Sequence, residues 1–365
     1  MDLDIVKAKR KLSERALTTM SSHPPLRKPD SRATMRDVAA LAGVGIKTVS
    51  RVINEEPNVS PATIAKVREA AERLDYHPDL NAGNLRRTGR RTRTLGLVVG
   101  SVANPFSGAV HRGVEDTAME RGVAVFASSL DDDASREQRI VGEMLRRRVD
   151  ALILTTVRKN QSQLVAEQAR GTVLVFVDRE PAGIDADVVV TNNAEAAAEA
   201  TAHLISVGHR RLAYLGDRRE LWTAQERRRG FLEQLGTVGI PTSGIPIVED
   251  LHTEDAAYAA TLELLDSANP PTGLFSSQNL VTIGALRALH VRGLQRRIAL
   301  VGFDDVPLGD MLEPGVTVVA QNPYEMGRIA AQRAFARMDG DVSEPAHFVV
   351  PSVLIPRGSG EIPPE

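Results

Sequence analysis

In the stretch IKTVSRVIN, Ile46 to Asn54, an ammonium, a guanidinium, two hydroxyls and a carboxamide stand within nine residues. Arg51 and Lys47 suit the O6 and N7 acceptors of guanine, and Ile46 offers an apolar contact of the kind a thymine methyl takes. Thr48, Ser50 and Asn54, with Thr34 upstream, suit phosphate oxygens, which set register without reading sequence. This is the chemistry of duplex DNA recognition. Catalysis has little to stand on. The chain has no cysteine, so a disulfide scaffold, a thiolate metal site and a Cys nucleophile are excluded. Its histidines show no metal-ligand spacing, and there is no phosphate loop, no G-x-S-x-G elbow and no persuasive acid/base pair. Gly43 and Gly45 form a lone G-x-G, but it follows a helical pattern rather than a strand, which rules out a dinucleotide loop.

The elements that must carry these side chains are short helices. Thr34 caps the first, with Asp37 in the capping-box position and Val38, Leu41 and Ala42 as its apolar stripe; Gly43 ends it. The second starts after Gly45 and turns Val49, Val52 and Ile53 inward, ending before Asn54 and Pro57. The third opens with Ser60 as cap and Pro61 at the first helical position, and its stripe runs through Ile64, Val67, Ala71 and Leu74. Three short helices with a glycine turn between the first two read as a helix-turn-helix, whose second helix enters the major groove. That arrangement makes Ile46, Lys47 and Arg51 the base readers.

Charge divides the chain in the same place. Residues Met1 to Arg93 hold 19 basic and 11 acidic residues, leaving 26 basic and 36 acidic for the rest. A basic quarter on an acidic body implies one module for a polyanion and another for something else. The 365 residues exceed what one core fills, since cores stop growing at roughly 250 to 300 residues. Residues 1–33 read as a flexible tail rich in Pro, Ser and basic residues, with Met20 as an alternative start because the motif needs nothing before it. Residues 34–78 form the headpiece, 79–93 a hinge and linker with five arginines, 94–358 the body, and 359–365 a flexible C-terminal tail. No stretch offers roughly 18 uninterrupted apolar residues and the N-terminus lacks a signal-peptide pattern, which points to a cytoplasmic protein.

In the body the period changes. Apolar runs such as TLGLVVG, DALILTT, TVLVFVD, RLAYLG, IALVGF and VTVVA alternate with helical stretches such as 135–147, 194–207, 222–235, 280–292 and 324–338. Unbroken apolar strands alternating with helices predict a parallel sheet covered on both faces, and this length predicts two doubly wound units.

The order of motifs resembles one family. Thr34-Met-Arg-Asp-Val-Ala-Ala-Leu-Ala-Gly-Val, Thr48-Val-Ser-Arg-Val-Ile-Asn54, Val59-Ser-Pro and Tyr76-His-Pro-Asp are similar to the DNA-binding headpiece of the lactose-repressor and galactose-repressor family. Asn104-Pro-Phe, Val177-Asp-Arg, Gly208-His, Arg227 with Gly230-Phe231, and Val301-Gly-Phe-Asp-Asp305 continue the likeness to about Gly358. The resemblance implies a small all-α helix-turn-helix headpiece plus an α/β periplasmic-binding-protein-like body of two doubly wound subdomains. It implies a homodimeric transcriptional regulator, usually a repressor, that binds a near-palindromic DNA operator and responds to a sugar-like small molecule, with no cofactor or metal. A hinge helix folds on DNA in such proteins and wedges a leucine into the minor groove, so Leu85 is the wedge with Ala82 beside it. Gly83 weakens that helix by about 1 kcal/mol, and the hinge is expected to be disordered without DNA.

The resemblance also implies a ligand cleft at the carboxyl ends of the strands. Asn104 and Phe106, Gln278 and Asp304 each follow a strand run there, and Thr223 and Arg227 lie one turn apart at a helix start. Arg227 and Asp304 match the family's ligand-bonding arginine and aspartate. Phe106 or Trp222 could stack on a ring or simply pack, and His209 reads as a surface residue at a turn. Departures from the family include Gly45 in place of a small polar residue, which removes a phosphate contact, and Asn192, Asn279 and Asn322 where Asp is common. Gln278 stands where Asn is common. Leu221 stands where a purine-responsive member has arginine, which weakens a purine assignment. An enzyme on the same scaffold and a transporter's solute-binding protein are the rival readings; turnover of a tight ligand would favour the first, and the basic headpiece opposes the second.

Overall fold

The structure is a computed structural model and describes residues 33–54, 56–77 and 92–365. It divides into two compact units, Met1–Thr88 and Gly89–Glu365. Hinge residues Ala82 and Leu85, and the N-terminal tail up to residue 32, lie outside the described residues.

The first unit is built on α1 (Met35–Ala42), α2 (Ile46–Ile53) and α3 (Pro61–Arg73). Thr34 and Asp37 form the expected reciprocal capping box, and Gly43, at φ 68°, ends α1 in the left-handed conformation that glycine adopts without a Cβ clash. Ser60 caps α3 by accepting from the Thr63 amide, with Pro61 at its first position. Val38, Ala39, Val49, Val52, Val67 and Ala70 close the core. Leu41, assigned to the stripe, is instead 44% exposed, because Ala39 takes the inward place.

The second unit holds two parallel-dominated sheets. The first sheet has the order β11-β5-β4-β3-β1-β2. Its strands are β1 (Thr94–Val99), β2 (Ala124–Ser129), β3 (Ala151–Leu154), β4 (Val173–Val177), β5 (Asp187–Thr191) and β11 (His347–Val350). The second sheet, ordered β12-β10-β9-β8-β6-β7, contains β6 (Leu212–Leu215), β7 (Ile247–Val248), β8 (Gly273–Ser276), β9 (Ala299–Phe303), β10 (Thr317–Ala320) and β12 (Val353–Ile355). All pairings are parallel except β10 with β12. The covering helices are α4 (Pro105–Met119), α5 (Ala134–Arg146), α6 (Val165–Ala169), α7 (Asn193–Ser206), α8 (Trp222–Thr237), α9 (Glu254–Leu265), α10 (Asn279–Arg292) and α11 (Pro323–Met338). Strands such as β3, β4 and β9 read as continuous apolar runs because helices cover both faces, and each is almost wholly buried.

The chain passes between the subdomains three times, at Asn192, at Gln321 and Asn322, and at Pro351 and Ser352. Two crossovers are tied together where Asn192 Oδ1 accepts from the Ser352 amide and hydroxyl, both at 2.9 Å. Helices that cover one face meet closely: a Cβ on Gly327 of α11 would lie 2.1 Å from the Val110 carbonyl oxygen of α4.

The C-terminal residues correct an expectation. Residues 359–365 are not a flexible tail but a strap bound along the second sheet. Ser359 is 3% exposed, its hydroxyl donates to the Leu300 carbonyl and its own carbonyl accepts from the Leu300 amide. Glu361 accepts from the Thr317 hydroxyl, and the Ile362 carbonyl meets Nε2 of His209 at 2.8 Å. His209 is therefore not a surface residue either. It is fully buried, its Nε2 donates to Ile362 and its Nδ1 lies 2.9 Å from the Thr272 hydroxyl. Burial holds the imidazole below its ordinary value, against the Ile362 bond, so it stays neutral. Composition signalled disorder here, but these polar groups find partners contributed by distant strands.

Candidate functional sites in the headpiece and the cleft

In the headpiece, Val49 and Val52 anchor α2 in the core and leave Ile46, Lys47 and Arg51 exposed. Ile46 is 46% exposed at the helix start, behind Gly45, which caps without a side-chain bond. Arg51 rests on its own chain: Nη2 donates to the Pro57 carbonyl at 2.8 Å, and Nε stands 3.7 Å from Glu56. Asn54 donates to the Ser50 carbonyl at 2.7 Å and to the Ser50 hydroxyl at 3.2 Å. Thr34 is engaged with Asp37 through both its amide and its hydroxyl. Thr48 sits half-buried in the first turn of α2.

In the second unit, a cavity of about 330 Å³ opens between the two subdomains at the carboxyl ends of the strands. Asn104, Phe106, Thr223, Arg227, Gln278 and Asp304 all line it. Asn104 and Gln278 are the N-caps of α4 and α10; their side chains accept from the Phe106 amide and from the Leu280 and Val281 amides. Asn104 also pairs amide to amide with Asn279 across the cleft, at 2.9 and 3.2 Å. Val99, Ala103, Phe106, Val110 and Leu280 supply an apolar wall. Trp222 is not among the lining residues; it packs against the first-subdomain core built on Leu130, Val141 and Phe176.

Arg227 is 5% exposed and held from three sides. Its Nε donates to Asn193 Oδ1 at 2.8 Å, its Nη1 to the Ser277 carbonyl at 2.7 Å, and its guanidinium lies 3.8 Å from the Phe303 ring centroid. Asp304 stands 3.8 Å away and accepts from Gln321 at 2.6 Å. Asn193 begins α7 immediately after a crossover, so Arg227 is bonded to a residue next to the connection between the subdomains.

Sequence reasoning missed the other half of the site: Asp131, Asp132, Asp178, Arg179, Asp217, His252 and Gln321 also line the cavity. Asp178 was within reach, since it ends the run TVLVFVD as Asp304 ends IALVGF, within a motif used only for the resemblance. The two aspartates are structural counterparts. Each follows a central strand with a left-handed φ, 73° and 68°, and each backbone N–H donates to the next strand, to Val189 and to Val319. Burial pushes Asp178 up to about 6, overcoming Arg179 and Arg227, and burial also raises Asp304 against Arg227 and Gln321. His252 carries no sequence signal; it enters through the loop before α9. Asp132 meets Arg179 at 2.6 Å and His252 at 3.3 Å, and His252 meets Asp217 at 2.7 Å. The cavity thus holds more carboxylates than cations, and two of its buried polar atoms have no hydrogen-bond partner, the acceptor Gln321 Oε1 and the donor Arg179 Nε. It is built to receive hydrogen-bond donors on one side and an apolar face on the other. Among the described residues no group of His, Asp and Glu is placed to hold a metal ion.

Comparison with known proteins agrees in both units. Residues 34–79 match the model of bacterial regulatory proteins of the lacI family, and residues 201–360 match the periplasmic binding protein-like domain. The ribose operon repressor of Escherichia coli (strain K12) is 30% identical over 331 residues, covering 90% of this chain and 99% of its own. A solved transcriptional regulator CelR-cellobiose complex is 31% identical, covers 90% and 100% of the two chains, and superposes with a TM-score of 0.65. The lac repressor dimer bound to operator and an anti-inducer, 23% identical with a TM-score of 0.80 over 90% of this chain and 99% of that one, shares the fold. The chain belongs to the lacI family of bacterial regulatory proteins. It is a DNA-binding transcriptional regulator and not an enzyme.

Proposed function

We propose that this regulator acts in the cytoplasm as a homodimer on a pseudo-palindromic operator and that a neutral sugar in the cleft sets its grip on DNA. Ile46, Lys47 and Arg51 read bases, Thr34, Thr48, Ser50 and Asn54 hold phosphates, and Ala82 and Leu85 insert at the minor groove. Asn104, Phe106, Thr223, Arg227, Gln278 and Asp304 hold the sugar, joined by Asp178 and Gln321. The observation that carries this reading is the cavity itself, with acceptor-rich polar walls facing an apolar wall that includes Phe106. A sugar presents hydroxyl donors around an apolar ring face, whereas a phosphorylated ligand meets an excess of carboxylates. The names of the ribose operon repressor and the CelR-cellobiose complex support the same ligand class. An effector acts by its differential affinity for open and closed subdomains. No helix among the described residues is long and apolar enough to cross a membrane.

The test is selection of duplex sites from a random pool at stated salt, followed by titration of the selected site against ribose, galactose, glucose and cellobiose. A two-fold symmetric site is expected, with one sugar changing its affinity. Arg227→Met keeps an unbranched apolar stem but removes the guanidinium, so it should retain the DNA site and lose the sugar response. An asymmetric site, or loss of DNA binding and sugar response together in a folded Arg227→Met protein, overturns the assignment.

A further inference from the structure

Along the cavity wall runs a chain of charged groups outside the sugar contacts proposed above. Asp132 follows β2 and Arg179 follows β4, both in the first subdomain; Asp217 follows β6 and His252 follows β7, both in the second. Each subdomain fixes its own contribution. Arg179 Nη1 holds one carboxylate oxygen of Asp132 at 2.6 Å, and Asp132 is only 6% exposed in its side chain. Asp217 holds Nδ1 of His252 at 2.7 Å. What remains are the other Asp132 oxygen and His252 Nε2, which meet across the cleft at 3.3 Å. Arg218 of the second subdomain adds a bond from Nη1 to the Asp132 carbonyl at 3.0 Å. The contact between His252 and Asp132 is an ion pair and not an aligned hydrogen bond: a neutral imidazole donating Nδ1–H to Asp217 turns its Nε2 lone pair toward the Asp132 carboxylate, so attraction between the two requires the imidazolium. The His252 side chain is 26% exposed, which leaves it open to proton exchange.

We propose that His252 is a positioning residue of the cleft: as the imidazolium it latches the second subdomain to the first through Asp132, so that its protonation sets how readily the subdomains close. The proposal rests on effector control by subdomain closure, but it is testable without any effector. The charged groups facing His252 are Asp217 and Asp132, which favour the cation, and Arg218, which opposes it; Arg179 occupies the far oxygen of Asp132. The bond to Asp217, and then the charges of Asp217 and Asp132, hold His252 above the ordinary histidine value against burial. The latch is therefore complete below that ordinary value and is lost as pH rises through the elevated one.

Trp222, the chain's one tryptophan, reports closure. It begins α8 of the second subdomain and packs on the core of the first, so opening uncovers it. In the effector-free full chain, acrylamide quenching of Trp222 is expected to rise and its emission to shift red as pH is raised from about 6 to about 9, across the histidine range. His252→Gln should show the raised quenching at every pH and no such rise, and Asp132→Asn should behave alike, with circular dichroism matching wild type. Losing a partly exposed ion pair of this kind shifts the open-to-closed ratio by up to roughly fivefold. Quenching that is flat with pH in wild type, or a pH-dependent rise retained in His252→Gln, overturns the proposal. Should His252→Gln fail to fold, the wild-type titration and Asp132→Asn decide. Failure here leaves the operator and sugar titrations untouched, so the two readings fall separately.

Discussion

Replacing Asp178 by asparagine should make the effector-free protein more stable at neutral pH and leave it unchanged in acid. Asp178 is 8% exposed and shares the cleft with Asp132 and Asp304, and burial lifts it from 3.8 to about 6. A group whose folded value is raised contributes stability below its unfolded value and loses it as pH climbs through the folded one. The window is therefore roughly pH 4 to 6. The difference between 3.8 and about 6 corresponds to about 3 kcal/mol, an upper figure for what the charged carboxylate costs the effector-free fold at pH 7. For a unit of this size that is several degrees in Tm, at about 2 to 4 °C per kcal/mol. The assay is thermal unfolding of wild type and Asp178→Asn across pH 4 to 8, taking the difference at each pH so that other titrating groups cancel. A gap that opens between pH 4 and 6 is expected. A gap that is constant with pH, or a variant less stable at pH 7, refutes the reasoning. The same substitution should weaken sugar binding, because an acceptor held ready for a ligand is a local liability without one.

Three further outcomes follow from the packing and the surface. Gly230→Ala would place a methyl 1.9 Å from the Ala194 carbonyl oxygen of the adjoining helix, a backbone contact that has no rotamer to escape it. Denaturant unfolding should show a loss of roughly 1 to 3 kcal/mol or more. Deleting residues 359–365 removes the Ser359 bonds to Leu300 and Thr317 and bares His209, so unfolding of the second subdomain should move to lower temperature; an unchanged melt contradicts the strap. Arg51→Ala should cost about 1 to 3 kcal/mol of discrimination at one position in each half-site, read by competition between operator variants at fixed salt. A uniform loss over all sequences would make Arg51 a phosphate contact instead.

The headpiece and the layer order were legible in the sequence because their signals are local. Caps, a left-handed glycine and an i, i+3, i+4 stripe act within a few residues, and Thr34, Asp37, Gly43, Ser60 and Pro61 stand where those rules place them. Buried parallel strands announce themselves as unbroken apolar runs for an equally local reason. The six cleft residues named from a family resemblance all reached one cavity, since a strand's carboxyl end is a position that the chain order already marks. What only the tertiary structure decided is how charges meet. Asp132, Asp217 and His252 lie far apart in sequence, their types alone say nothing of pairing, and the network exists because two sheets bring their strand ends face to face. The strap at 359–365 and buried His209 belong to the same class. Composition read as disorder and a turn, while hydrogen bonds to Leu300, Thr317 and Thr272 supplied the order. Local periodicity specifies elements, but the partner of a polar group is set by three-dimensional proximity, which no window along the chain contains.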